Sequence, residues 1–222
     1  MDCADFIRVS NFLRRQSNIE SAKRALKEIF RCWKIIIKVA NLDGVSMSLV
    51  GQDRSFIESR IRKWKQDVAS NPQDYEALAS IGAAYGKLGD NTTALTYFED
   101  AIAVNPSYAE AFVGLGSACA FLRKADEAVA ALRKAISLDP ESPLAHAKLG
   151  TTLGRAGMYQ DAIIELKEAL RLKPDLTDAR FALGLAYVSI GDWHQAAVEA
   201  NSLSRADRNL AAQLQNFIDQ SR

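Results

Sequence analysis

From residue 72 onward the apolar residues recur at helical spacing, and the same arrangement of large, small and polar positions returns again and again. Leu78, Ile81, Gly82 and Tyr85 mark one helical face, Ala94, Phe98 and Ala101 mark a second, and Pro106 follows. The next stretch repeats the frame with Phe112, Leu115, Gly116, Cys119, Ala128, Leu132, Ala135 and Pro140. A third reads His146, Leu149, Gly150, Leu153, Ala162, Leu166, Ala169 and Pro174. Pro72, Pro106, Pro140 and Pro174 stand 34 residues apart, so the unit is a pair of helices of fixed length.

The small positions explain how such a pair closes. Gly82, Gly116, Gly150 and Gly184 in the first helices match Ala94, Ala128, Ala162 and Ala196 in the second, which lets two backbones approach. Tyr85, Phe98, Leu132, Leu153, Leu166 and Tyr187 then fill the space between neighbouring helices, and a single unit would leave that face in water. Gly89-Asp90, Gly157 and Gly191-Asp192 supply a glycine where a helix must end in the left-handed conformation. The second unit has Arg123-Lys124-Ala125-Asp126 there and no glycine.

The fourth unit keeps Leu183, Gly184, Tyr187 and Ala196 but has Ala200 for a large residue, Leu203 for alanine and Arg208 for proline, which reads as the end of the array. Asp207 is the expected N-cap of a closing amphipathic helix with Leu210, Leu214, Phe217 and Ile218 on its apolar side. Residues 53–71 put Phe56, Ile57, Ile61, Trp64 and Val68 on one face, as the second helix of an incomplete unit would.

Taken together, these residues resemble the tetratricopeptide-repeat family, whose unit is a pair of antiparallel helices marked by Leu-Gly, Tyr, Ala, Phe and Pro at fixed offsets. The resemblance covers residues 72–207. It implies an all-α fold, a right-handed solenoid of antiparallel helix pairs, with units at 72–105, 106–139, 140–173 and 174–207. The expected organisation adds an N-terminal segment (1–52), the half unit (53–71) and a capping helix (208–222).

The resemblance also implies where a partner binds, because the first helices of such arrays line a concave groove. Carried over by frame, the groove positions hold Ala79, Ala83, Gly86 and Lys87, then Val113, Ser117 and Phe121. Further along they hold Ala147, Lys148, Thr151, Arg155, Phe181, Leu185 and Val188. The lining is mostly small and apolar, which suits an extended or helical peptide burying apolar side chains, with Phe121 and Phe181 as anchors and Lys87, Lys148 and Arg155 able to meet an acidic residue. Family members that hold a terminal carboxylate use Lys and Asn on successive first helices. Ala79, Ala83 and Ser117 stand in those places here and rule that mode out.

Ahead of the repeats, residues 22–40 pattern as a helix in which Lys23, Lys27, Arg31, Lys34 and Lys38 share a wedge of about 80°. Ala22, Leu26, Ile29, Trp33, Ile36 and Ala40 lie opposite. Packing on the first repeat is the plainer use of that face; contact with an anionic membrane surface through Lys23, Lys27, Arg31, Trp33, Lys34 and Lys38 is the alternative. A hairpin from Ile35-Ile36-Ile37 through Asn41-Leu42-Asp43-Gly44 to Val45–Val50 ranks last, since a lone hairpin is marginally stable. Translation starting at Met47 is a further expectation.

Charge sharpens the partner class. The net charge of +1 divides into 14 Lys+Arg against 8 Asp+Glu in residues 1–71 and 14 against 19 in residues 72–222. An acidic repeat region does not suit nucleic acid. Protein or peptide partners, with self-association as a further option, are the expectation. Cys3, Cys32 and Cys119 show no paired spacing, and His146 and His194 are the only histidines, so neither a metal site nor a cofactor is expected. His146 replaces a large packing residue and His194 opens a second helix, and no nucleophile or phosphate-loop motif accompanies either. An adaptor or scaffold without catalytic activity follows, in the cytoplasm and peripheral to a membrane if the basic helix binds lipid.

Overall fold

The computed structural model describes residues 44–221, with side chains from residue 54 onward. Every regular element among them is an α-helix: α1 (Gly44–Ser70), α2 (Tyr75–Lys87), α3 (Asn91–Val104), α4 (Ala109–Phe121), α5 (Ala125–Leu138), α6 (Pro143–Arg155), α7 (Tyr159–Leu172), α8 (Thr177–Ser189), α9 (Trp193–Leu203) and α10 (Arg208–Ser221). Lys23, Lys27, Arg31, Trp33, Lys34 and Lys38 lie outside the described residues. Residues 44–50 are helical, so the second strand of a hairpin does not form there. Residues Ile57–Arg222 form one compact unit, which carries the repeats.

Helices pair as α2/α3, α4/α5, α6/α7 and α8/α9, and each pair is closed by the same turn. The amide of the residue after the turn donates to a carbonyl five residues back: Asp90 to Tyr85 at 3.0 Å, Lys124 to Cys119 at 2.9 Å, Met158 to Leu153 at 2.9 Å and Asp192 to Tyr187 at 3.0 Å. That closure needs one left-handed residue. Gly89, Gly157 and Gly191 supply it with φ of 84°, 82° and 77°, while in the second pair Arg123 is forced to φ 61°. A side chain in that region costs about 1–2 kcal/mol, so the missing glycine changes the strain and not the path of the chain.

Inside each pair a glycine admits a large residue from the second helix. A Cβ on Gly116 would stand 2.6 Å from Leu132 Cγ and 3.1 Å from the Ala128 carbonyl oxygen; Gly150 meets Leu166 and Ala162 at the same two distances. In the first pair Phe98 takes this place, and its ring reaches on until a Cβ at Gly114 would lie 2.2 Å from it. Ala200 is too short to do the same in the fourth pair. Leu214 of α10 fills the space instead, with Cδ2 2.3 Å from where a Gly184 Cβ would be. Leu214 and Ile218 are fully buried, whereas Phe217, expected on the same face, is exposed because it lies on the outer flank of α10. Asp207 caps this helix, accepting from the amides of Asn209 (2.9 Å) and Leu210 (3.0 Å).

At the other end Ile61 of α1 is buried against Ile81 and Ala84, with Ile57, Trp64 and Val68 partly buried around it. Phe56 is exposed. Lys65 Nζ donates to the Tyr85 hydroxyl at 3.0 Å, above the stacked rings of Tyr85 and Tyr97. This fixes the part of α1 from Ile57 onward to both helices of the first pair.

Each first helix touches the first helix of the next pair, α2 on α4, α4 on α6 and α6 on α8. Successive second helices have no comparable contact among the described residues. A row of elements packed more closely than the row behind it forms the inner side of a curve, so the first helices line the concave face of the solenoid.

Candidate functional site

Small side chains on α2 and α4 leave a recess on that inner face. Ala79, Ala83 and Gly86 from α2, and Val113, Gly114, Ser117 and Ala118 from α4, surround a cavity of about 560 Å³ with Phe98 at its base. Phe121 and Leu144 form its wall and are 65% and 51% exposed, large apolar surfaces that nothing in the chain covers among the described residues. Lys87, Asn91, Glu110 and Lys148 bring polar groups to the lining. The Ser117 hydroxyl donates to the Val113 carbonyl at 2.8 Å, so its polarity is spent within the helix and the floor stays apolar.

Tyr108 closes the recess beside Glu110. Its ring packs edge-on against Tyr75 at 4.9 Å. Burial, and then the hydrogen bond and charge of Glu110, push the phenol well above its ordinary range, so it remains a protonated donor. Cys119 behind the recess is buried, and burial followed by the charge of Glu127 raises its thiol too; it is a packing residue and a poor nucleophile.

Of the groove positions that the sequence suggests, Ala79, Ala83, Gly86, Lys87, Val113, Ser117, Phe121 and Lys148 come together around this recess. The other six do not. Ala147, Phe181, Leu185 and Val188 are partly buried and pack against the core cluster that runs from Val113 to Ile218. Thr151 is exposed, with its hydroxyl donated to the Ala147 carbonyl at 2.8 Å. Arg155 lines a separate recess of about 170 Å³ with Ala120, Arg123, Ala125, Thr152 and Ala156. Leu144, Tyr108, Gly114, Asn91 and Glu110 line the larger recess and escape the sequence reading. Leu144 and Gly114 hold groove places of the repeat frame and were reachable from it. Tyr108 precedes its helix, and no pattern marks it.

His146 has a structural place. Its Nδ1 lies 2.7 Å from Glu165 Oε2 and its Nε2 3.1 Å from the Pro140 carbonyl oxygen, tying the first helix of the third pair to the second helix and to the preceding loop. One repeat later Arg180 makes the same two contacts, 2.9 Å to Glu199 and 2.8 Å to the Pro174 carbonyl oxygen. No cluster of three or more His, Cys, Asp or Glu that could hold a metal occurs among the described residues. No described helix is long and apolar enough to cross a membrane.

Comparison with known proteins places this geometry. No curated protein matches the sequence. Among solved structures, TTC0263, a thermophilic TPR protein of Thermus thermophilus, superposes with a TM-score of 0.64 at 23% identity, covering 79% of this chain and 95% of that one. MamA from Desulfovibrio magneticus RS-1, solved from its residue 41 to the end, gives 0.62 at 22% identity over 74% and 93% of the two chains. YrrB, described as a TPR protein with an unusual peptide-binding site, gives 0.58 at 18% identity over 72% and 92%. At these identities the likeness is one of fold. The family model for the tetratricopeptide repeat matches residues 79–143 and 147–211, more than half of the sequence. An all-helical solenoid with this repeat frame, this match and these neighbours is of one kind: the chain belongs to the tetratricopeptide-repeat family.

Proposed function

We propose that the chain is a binding module that holds a segment of a partner protein in the concave groove, centred on the recess between α2, α4 and the start of α6. The observation that carries this reading is the pairing of a small-residue floor with Phe121 and Leu144 left exposed on its wall. An apolar side chain of a partner seated there removes those faces from water, which is the general driving force for helix-in-groove or extended-peptide recognition. Lys87 and Lys148 both line the recess and can meet acidic groups flanking the apolar one. In this reading the repeat units are 72–105, 106–139, 140–173 and 174–207, with α10 as the cap. The module acts as an adaptor or scaffold and carries out no reaction.

The test is affinity capture of partners from native extract, read by mass spectrometry. The intact chain is compared with a Phe121→Glu, Leu144→Glu double variant and with Ile164→Glu on a second helix. All three positions are solvent-exposed, so the fold survives and loss of binding reports on the surface. Partners held by the intact chain and by Ile164→Glu, and lost from the double variant, support the groove. Partners retained by the double variant refute it.

A further inference from the structure

The smaller recess, at the turn edge of α4 and α6, is lined by two arginines and no acidic residue: Ala120, Arg123, Ala125, Thr152, Arg155 and Ala156. Among the described residues neither Arg123 nor Arg155 has an ion-pair partner, and the Glu127 carboxylate on the neighbouring helix is taken by Lys124 at 3.0 Å. Two arginines bordering one recess without an acidic neighbour in its lining make it attractive to an anion.

The repeat supplies internal controls. At the left-handed turn position the four pairs have Gly89, Arg123, Gly157 and Gly191, and at the last groove position they have Lys87, Phe121, Arg155 and Ser189. Only where the second pair meets the third do both sides of the recess carry arginine. Arg123 holds its place at φ 61°, the single non-glycine residue with positive φ among the described residues. A cation near a helix C-terminus is favoured by the helix dipole, but that preference is met without left-handed backbone and does not explain arginine where its equivalents are glycine.

We propose that Arg123 and Arg155 form a carboxylate-binding pocket that takes an acidic side chain of the segment held in the groove. Guanidinium offers a planar fork of donors that matches a carboxylate, and two of them fix its position along the groove. The place fits: Ala120 lines this recess and the adjacent Phe121 walls the larger one, so an apolar anchor and an acidic group on the same segment reach both. Residues 72–222 carry 14 Lys+Arg against 19 Asp+Glu, so an acidic segment meets attraction at few places, and the pair sets its register. The pocket deepens the groove reading and rests on it for the identity of the ligand.

The experiment uses matched short synthetic peptides that carry a central Leu or Phe and either Glu or Gln beyond it. Their affinities are measured against the intact chain, Arg123→Gly and Arg155→Gln. In parallel the Nε–Hε signals of Arg123, Arg155 and the exposed Arg133 are titrated with acetate. The expected result is a Glu-over-Gln preference of about tenfold that collapses toward unity in both variants, with the melting temperature of Arg123→Gly at or above that of the parent. Saturable acetate shifts at Arg123 and Arg155 but not Arg133 complete the pattern. Equal binding of the two peptide series overturns the pocket and leaves the groove standing. If neither series binds, saturable shifts at the pair sustain the pocket and sink the groove, whereas shifts no different from Arg133 overturn the pocket as well.

Discussion

In the first helix pair Leu78 and Tyr97 occupy the places that His146 and Glu165 hold in the third and that Arg180 and Glu199 hold in the fourth. Leu78 and Tyr97 share one apolar cluster. Their counterparts form side-chain hydrogen bonds at 2.7 and 2.9 Å, each completed by a proline carbonyl. The inner faces diverge as well. The first two pairs carry the open recess, and Phe181, Leu185 and Val188 of the last pair, partly buried against the core, line none of it. The repeat frame therefore dictates where Cβ atoms stand and leaves open which chemistry joins them. The recess lies toward the end away from the capping helix.

The largest test of that contrast is Leu214→Ala. Leu214 does from outside the repeat what Phe98, Leu132 and Leu166 do from within, and it is fully buried over Gly184. Removing it should cost about 2–5 kcal/mol, the usual range for a buried leucine truncated to alanine. The loss should be local: hydrogen exchange should quicken in α8, α9 and α10 while the amides of α2 to α5 keep their protection. Uniform loss of protection along the whole array would mean that the two ends do not differ in what holds them.

The Arg180–Glu199 ion pair gives a smaller effect with a distinctive sign. Arg180→Leu leaves Glu199, whose side chain is 12% exposed, and the Pro174 carbonyl without their partner, at a cost of about 1–3 kcal/mol. Adding Glu199→Ala restores an apolar pairing of the kind that the first repeat uses and should return most of that loss. Chemical denaturation of the two single variants and the double variant measures it through a double-mutant cycle. A double variant no more stable than Arg180→Leu would show that the fourth pair cannot accept the chemistry of the first.

Sequence alone carries the frame because glycine, alanine and the large residue opposite are local requirements of two helices in contact. Gly82, Gly116 and Gly150 are legible for that reason. Leu214 as the wedge over Gly184 is not, since nothing in the fourth unit states which element will cover a glycine whose own large residue has become Ala200. The left-handed turn at Arg123 is hidden for a related reason: the Lys124-to-Cys119 hydrogen bond imposes it although the local residues do not favour it. In the groove the frame places Val113 and Phe181 at one equivalent position, and only the neighbours decide that Val113 is buried in the core and borders the recess while Phe181 is partly buried against the same cluster.

The smallest effect concerns helix starts, where the pairs differ residue by residue. Asp90 and Asp192 open α3 and α9 and accept from the amides of Thr93 and Gln195, each at 3.1 Å. Met158 opens α7 at the same repeat position with nearly the same backbone, φ −84° and ψ 65° against −86° and 75° at Asp192, yet caps nothing. Its side chain is 41% exposed, so little packing is lost with it. Met158→Asp should therefore place a carboxylate within reach of the free amide of Asp161 and raise stability by about 1 kcal/mol, offset in part by the charge already on Asp161. A thermal melt at neutral pH reads the gain, and acidification should remove it as the new carboxylate is protonated. A variant less stable than the parent at neutral pH would show that the capping geometry of the first and last pairs does not carry over to the third, despite matching dihedral angles.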